Sequence, residues 1–173
     1  GGMVGVSLAL QLGAVLPPQI SIVLIEGASI PVDQQISAPD YHPSFDARST
    51  ALSYSSRLIY EQMQVWEALQ EWLCAIESIH VSNRGRFGST LLKAGDHSWE
   101  ALGYVVENAW LGRALIHQLH EQGRVEVRSP AMVVRATPAG AGVTLQLDSD
   151  QANIETGLLL VADGVGSQLR EQL

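Results

Sequence analysis

The stretch that decides the fold is GGMVGVSLALQLGAVLPPQISIVLIE, residues 1–26. Val4, Leu8, Leu12 and Val15 fall on one helical face behind Gly1, Gly2 and Gly5, and Pro17-Pro18 ends the helix. Ile20 to Ile25 is an almost wholly apolar run, the pattern of a strand buried on both faces, and Glu26 closes it. Helix then strand is most of a β-α-β unit, whose leading strand is expected just before Gly1. Gly2 and Gly5 have the spacing of the last two glycines of G-x-G-x-x-G, with Gly1 at an x position. Glycine is needed there because backbone must approach a pyrophosphate closely, and the helix N-terminus then stabilises the phosphate charge. Glu26, about 20 residues further on, can accept hydrogen bonds from both hydroxyls of an adenosine ribose. A glycine-rich turn that merely opens a helix would leave the strand and its terminal acid unexplained.

Working outward, residues 27–50 carry Pro31, Pro39 and Pro43 with no clear period and read as a long loop, a common place for function. Ile59, Met63, Trp66, Leu69 and Leu73 predict an amphipathic helix from about Ser53 to Trp72. Ile79–Val81 and Thr90–Leu92 read as strands around a turn at Asn83-Arg84-Gly85, and Gly103–Val106 as another strand. Leu111, Leu115 and Leu119 mark a third helix. After Gly123 the pattern changes. Val125 and Val127 alternate with charged residues, Met132–Val134 is a short apolar run, and Val143, Leu145 and Leu147 predict a half-exposed antiparallel hairpin. Leu158–Ala162 reads as a second buried strand, running into Asp163-Gly164. The expected fold is α/β: a Rossmann-like domain with a parallel sheet plus an antiparallel hairpin or meander.

Composition narrows the function. Ten Lys plus Arg against eighteen Asp plus Glu give a net charge of −8, which argues against nucleic-acid binding. With 46% hydrophobic and 16% charged residues, the chain is not disordered. No apolar run reaches the ~18 residues of a membrane span. The single cysteine, Cys74, excludes an internal disulfide and a Cys-based zinc site, and its place after Leu73 predicts a packed thiol. His117 and His120 share a helix face but lack an evident third metal ligand, so they read as a solvated face. Ser167 lacks His and Asp partners for a hydrolase triad and reads as a helix cap. The tryptophans read as packing. Two further strings carry chemistry. In Asp46-Ala47-Arg48-Ser49-Thr50-Ala51-Leu52, Arg48 either grips a phosphate in two-pronged geometry or simply pairs with Asp46 in solvent. In the string Leu158 to Arg170, Asp163 either binds a ribose or ribityl hydroxyl or fixes backbone amides in the turn.

The glycine motif, the Asp-x-Arg string and the Asp-Gly string occur in this order in the single-component FAD-dependent aromatic hydroxylases, which the chain resembles along nearly its whole length. Phe45 to Leu52, Ile79 to Gly85 (IHVSNRG) and Leu102 to Asn108 (LGYVVEN) resemble the ubiquinone-biosynthesis hydroxylases within that family. The resemblance implies that Gly1, Gly2 and Gly5 line the FAD pyrophosphate and that Glu26 holds its adenosine ribose. It places Arg48 at the phosphate or ribityl region, and Asn108, with Arg113 on the same helix, at the flavin. Asp163 and Gly164 belong to a motif associated with FAD and the reduced nicotinamide, and Arg170 closes it. The cofactors implied are FAD and NADPH as co-substrate, with O2 as the oxygen source and a polyprenyl phenol as the ring hydroxylated. No side chain need act as a nucleophile, so no catalytic residue and no metal ligand is assigned. A cytoplasmic protein is implied, with a peripheral inner-membrane contact, a ubiquinone-biosynthesis complex and a homo-oligomer left open. Residues 1–173 are expected to be one FAD/NAD(P)-binding domain cut at both ends. It would lack its first strand, the second FAD motif and most of the substrate lobe, and be inactive alone. The alternatives are another FAD-dependent oxidoreductase of the same nucleotide-binding fold, or a non-catalytic assembly module.

Overall fold

A computed structural model of the protein describes residues 1–30, 45–148, 153–170 and 172. Helix α1 spans Met3–Val15 and strand β1 Ile22–Ile25. Leu16 leaves the helix in extended backbone, as the residue before a proline favours. The buried face of α1 is Gly5, Val6, Ala9, Leu10 and Gly13, which corrects the Val4–Leu8–Leu12–Val15 face. Val4 is 71% and Val15 75% exposed. The helix is apolar nearly all round, so its period could not choose a side. Size chooses it. The Leu24 side chain lies 3.7 Å from where a Gly5 Cβ would stand, and the Gln122 side chain fills the space that a Gly13 Cβ would take.

The chain then builds an antiparallel sheet in the order β2-β6-β3, from Ser49–Ser53, Gly103–Glu107 and Cys74–Ile76. The loop expected over 27–50 therefore ends in a strand, and its stretch 31–44 lies outside the described residues. The helix expected over Ser53–Trp72 is broken. It runs as α2 (Tyr54–Gln62), α3 (Trp66–Leu69) and a short 3-10 turn at Gln70–Trp72. Ser53 caps α2, its hydroxyl accepting from the Ser56 amide at 3.2 Å. Strands β4 (Ser78–Ser82) and β5 (Ser89–Lys93) form the expected hairpin, with His80 opposite Leu91. Both strands are exposed along their length. Cys74 is exposed on β3, not packed at a helix end.

Helix α4 (Asn108–Gln122) buries Leu111, Leu115 and Leu119, as their spacing predicts, and ends at Gly123, whose φ of 61° is left-handed. It leads into β7 (Val125–Arg128), which pairs in parallel with β1, Ile22 opposite Val125 and Ile25 opposite Arg128. Val6, Leu10, Leu69 and the three α4 leucines share one core, each leucine contributing about 2 kcal/mol of transfer free energy. A separate antiparallel meander follows in the order β10-β9-β8, from Ile154–Thr156, Gly142–Leu147 and Val133–Ala139. It has its own small core of Ala136, Leu145 and Leu169. Leu158–Ala162 is not the buried strand expected. It pairs with no strand among the described residues, and Leu158 is 71% exposed. An apolar run forms a strand only where a neighbouring backbone takes up its hydrogen bonds, and none is described beside it.

Candidate functional site

Residues 1–26 bring a glycine turn and a carboxylate together. The Gly1 nitrogen lies 3.2 Å from a Glu26 carboxylate oxygen and 3.2 Å from the Ile25 carbonyl. The other Glu26 oxygen accepts from the Ala28 amide at 2.8 Å. Glu26 is buried, and a Cβ at Gly1 would collide with its carboxylate. Glycine at position 1 is thus what lets the acid at the end of β1 reach the start of α1. No side chain caps α1, and no acidic residue lies in its first turn. Among the described residues no side chain takes up its leading amides as a cap, the condition under which a helix start can receive an anion.

Asp163 approaches the same place. Ala162 Cβ lies 3.7 Å from where a Gly5 Cβ would stand, which brings the Asp163-Gly164 turn next to the first turn of α1. Both residues are exposed, and Gly164 has φ 85°. Ser167 is buried, and its hydroxyl accepts from the Arg170 amide at 3.1 Å in a turn; no helix follows it among the described residues.

A second group sits where β2 meets the start of α4. Thr50 donates its hydroxyl to Asn108 Oδ1 at 2.6 Å, and Asn108 Nδ2 donates to Asp46 Oδ1 at 3.3 Å. Asp46 also accepts from the Arg48 amide at 3.0 Å and from Arg48 Nε at 2.6 Å. The Arg48 amide, opposed by the small cost of burial and helped by its guanidinium, holds the Asp46 carboxyl below its ordinary 3.8. Asn108 is 5% exposed, whereas the Arg48 side chain is 82% exposed. Arg48 thus shows the solvent-facing ion pair with Asp46, one of its two sequence readings. Arg113 is buried on α4.

Helix packing relates the two groups. Gln122 Nε2 donates to the Leu10 carbonyl at 3.0 Å, and Arg124 Nη2 to the Pro17 carbonyl at 3.1 Å. The C-terminal ends of α1 and α4 therefore lie side by side, and the helices run in the same direction. The start of α4 therefore lies on the same side of the molecule as that of α1. Neither helix has an acid in its first turn or a side-chain cap. The structure brings Gly1, Gly2, Gly5, Glu26 and the approach to Asp163 to one helix start. It brings Arg48 and Asn108 to the other. Sequence reading missed Thr50 and Asp46 as partners of Asn108.

Other features carry less. A shallow concavity of about 530 Å3 lined by Glu61, Gln64, Trp66, Glu67 and Gln70 lies away from both helix starts and offers no donor array for an anion. His117 and His120 are exposed on α4, and no cluster of three or more potential metal ligands occurs among the described residues. No helix of the described residues is long and apolar enough to cross a membrane.

The chain superposes with a TM-score of 0.72 on the flavin-dependent monooxygenase PieE, solved with FAD and substrate, at 14% identity over 99% of this chain and 30% of that one. In sequence it is similar to curated proteins, at 28–29% identity. It is 28% identical over 171 residues to the 3-demethoxyubiquinol 3-hydroxylase of Escherichia coli, covering 99% of this chain and 41% of that protein. It is 29% identical over 173 residues to an uncharacterized protein of Synechocystis sp., covering 98% of this chain and 38% of that protein. The chain thus spans about two fifths of the length of these curated relatives. No family model matches it.

Proposed function

We propose that the chain is the nucleotide-binding part of an FAD-dependent aromatic monooxygenase that hydroxylates a polyprenyl phenol in ubiquinone biosynthesis with NADPH and O2. The particular activity proposed is that of a 2-octaprenyl-6-methoxyphenol hydroxylase. The observation that carries this reading is the close approach of the Glu26 side chain to Gly1, where a Cβ would not fit, at the start of a helix with no side-chain cap. That arrangement suits the adenosine diphosphate half of FAD. Sequence similarity to the Escherichia coli 3-demethoxyubiquinol 3-hydroxylase supports the substrate class.

In this reading the α1 amides take the pyrophosphate and Glu26 accepts from the ribose hydroxyls. Arg48 offers its two outer nitrogens to a phosphate, Asn108 offers its amide to the flavin, and Arg113 supports that end of α4. Asp163 and Gly164 add polar contacts beside the first turn of α1. FAD, when bound, supplies the hydride and oxygen chemistry. The chain's own residues bind and orient it.

The test is a titration with FAD, followed by the visible spectrum after free ligand is removed. The expected result is retained flavin absorption near ~375 and ~450 nm. Glu26→Gln is expected to weaken FAD by about tenfold, because a charged hydrogen-bond acceptor is lost. A chain that binds neither FAD nor ADP sinks the reading in favour of a non-catalytic module. Substrate and reductant are tested separately, by phenol-dependent NADPH oxidation in the full-length protein that carries the chain.

A further inference from the structure

Arg48 has a side chain almost wholly in solvent, yet it has one defined orientation. Nε is held by Asp46 Oδ2 at 2.6 Å, and among the described residues no other side chain engages the guanidinium. A guanidinium gripped at Nε keeps its two terminal nitrogens facing away from the grip, in the two-pronged geometry that matches a phosphate. The same Asp46 carboxylate receives Asn108 Nδ2 at 3.3 Å. Only the NH2 end of an amide can face a carboxylate. Asp46 and the Thr50 hydroxyl at 2.6 Å therefore fix which way the Asn108 amide points. The Asn108 amide N–H also donates to the Arg48 carbonyl at 2.8 Å, tying the two residues through backbone as well.

We infer that Asp46 is the positioning residue of the nucleotide site, holding the Arg48 fork ready for the diphosphate end of the cofactor without touching it. The inference rests on the FAD reading above. It assigns the ion pair a purpose: the carboxylate is a brace for Arg48, not a competitor for the anion. Competition would predict the opposite sign, since removing the acid would free Arg48 and tighten binding.

The experiment compares the wild-type chain with Asp46→Asn, Arg48→Met and the double variant, measuring affinity for FAD by fluorescence titration and for adenosine by ligand-observed NMR. Asp46→Asn keeps the volume and removes the charge at a partly exposed position. The expected result is FAD binding about tenfold weaker in Asp46→Asn, as for losing a charge-assisted contact, with adenosine affinity unchanged. The double variant should bind FAD no more weakly than Arg48→Met, because Asp46 acts through Arg48. A general disturbance of the fold would weaken adenosine as well, and its effect would add to that of Arg48→Met; either observation overturns the inference. So does unchanged or tighter FAD binding in Asp46→Asn. A wild-type chain that binds neither ligand overturns the FAD reading itself, and the positioning role with it.

Discussion

Gln64 shows how one residue can redirect a helix. Its φ is 59°, a left-handed conformation that costs a non-glycine residue roughly 1 kcal/mol. The Gln64 amide donates to the Glu61 carbonyl at 3.0 Å and the Val65 amide to the Tyr60 carbonyl at 2.9 Å. These are the two bonds of a Schellman C-cap, with Val65 fully buried behind it. Gln64→Gly should therefore raise unfolding stability by about 0.5–1 kcal/mol in urea, and a loss of stability would show that the Gln64 side chain matters more than its backbone. The helix stop was invisible in the sequence because the residue that stops it is not the glycine or asparagine such caps favour. Glu26 was legible for the opposite reason. Its place beside Gly1 follows from local order alone: glycines, helix, strand, acid. The Asn108–Thr50–Asp46 group depends on β2 pairing with β6, a contact between residues far apart in sequence, so only its members' types were readable.

At the scale of elements, Arg57 pins α2 to the β6 region. Its guanidinium donates to Glu61 at 2.7 Å, to Glu100 at 2.7 Å and to the Tyr104 hydroxyl at 2.6 Å. It also lies 5.5 Å from the ring centroids of Trp66 and Tyr104. Hydrogen bonds to Glu100 and then Glu61 raise its pKa, while Arg57 holds the Glu100 carboxyl below its ordinary 4.5. A carboxylate with a depressed folded pKa favours the folded state above its unfolded value, and that contribution is lost as pH falls through the folded pKa. The thermal midpoint of the wild type should therefore fall more steeply below about pH 4.5 than that of Glu100→Gln. Parallel curves would mean that the exposed Glu100 contributes nothing through this pair, as many surface ion pairs do. Helix existence was readable here from the spacing of apolar residues. The α2–α3 break and the Arg57 cluster were not, because they arise where a helix meets a sheet.

For the whole molecule, apolar patterning predicted most elements, but partners decided which became strands. Val125–Arg128, with two charged residues in four, found β1 and formed a parallel pair, whereas the wholly apolar Leu158–Ala162 has no strand partner among the described residues. The β4–β5 hairpin is the reverse case: a well-paired ribbon with nothing over its apolar side chains. Val81 is 53% and Leu91 50% exposed, and Phe87 at the turn is fully exposed at 109%. Both outer edges of the ribbon are unpaired among the described residues. Exposed apolar side chains on an unpaired ribbon favour association between copies. The side of β1 away from β7, unpaired among the described residues, offers a second edge for the same event, and the two can be told apart. Phe87→Ser removes the largest apolar group from the ribbon and leaves β1 untouched. Because Phe87 contributes nothing to the core, its loss should leave the thermal midpoint unchanged. Sedimentation velocity across a concentration series should show the wild type shifting to faster species and the variant shifting less. A variant that associates as the wild type does would assign the contact to the β1 edge, where a backbone ladder needs no particular side chain.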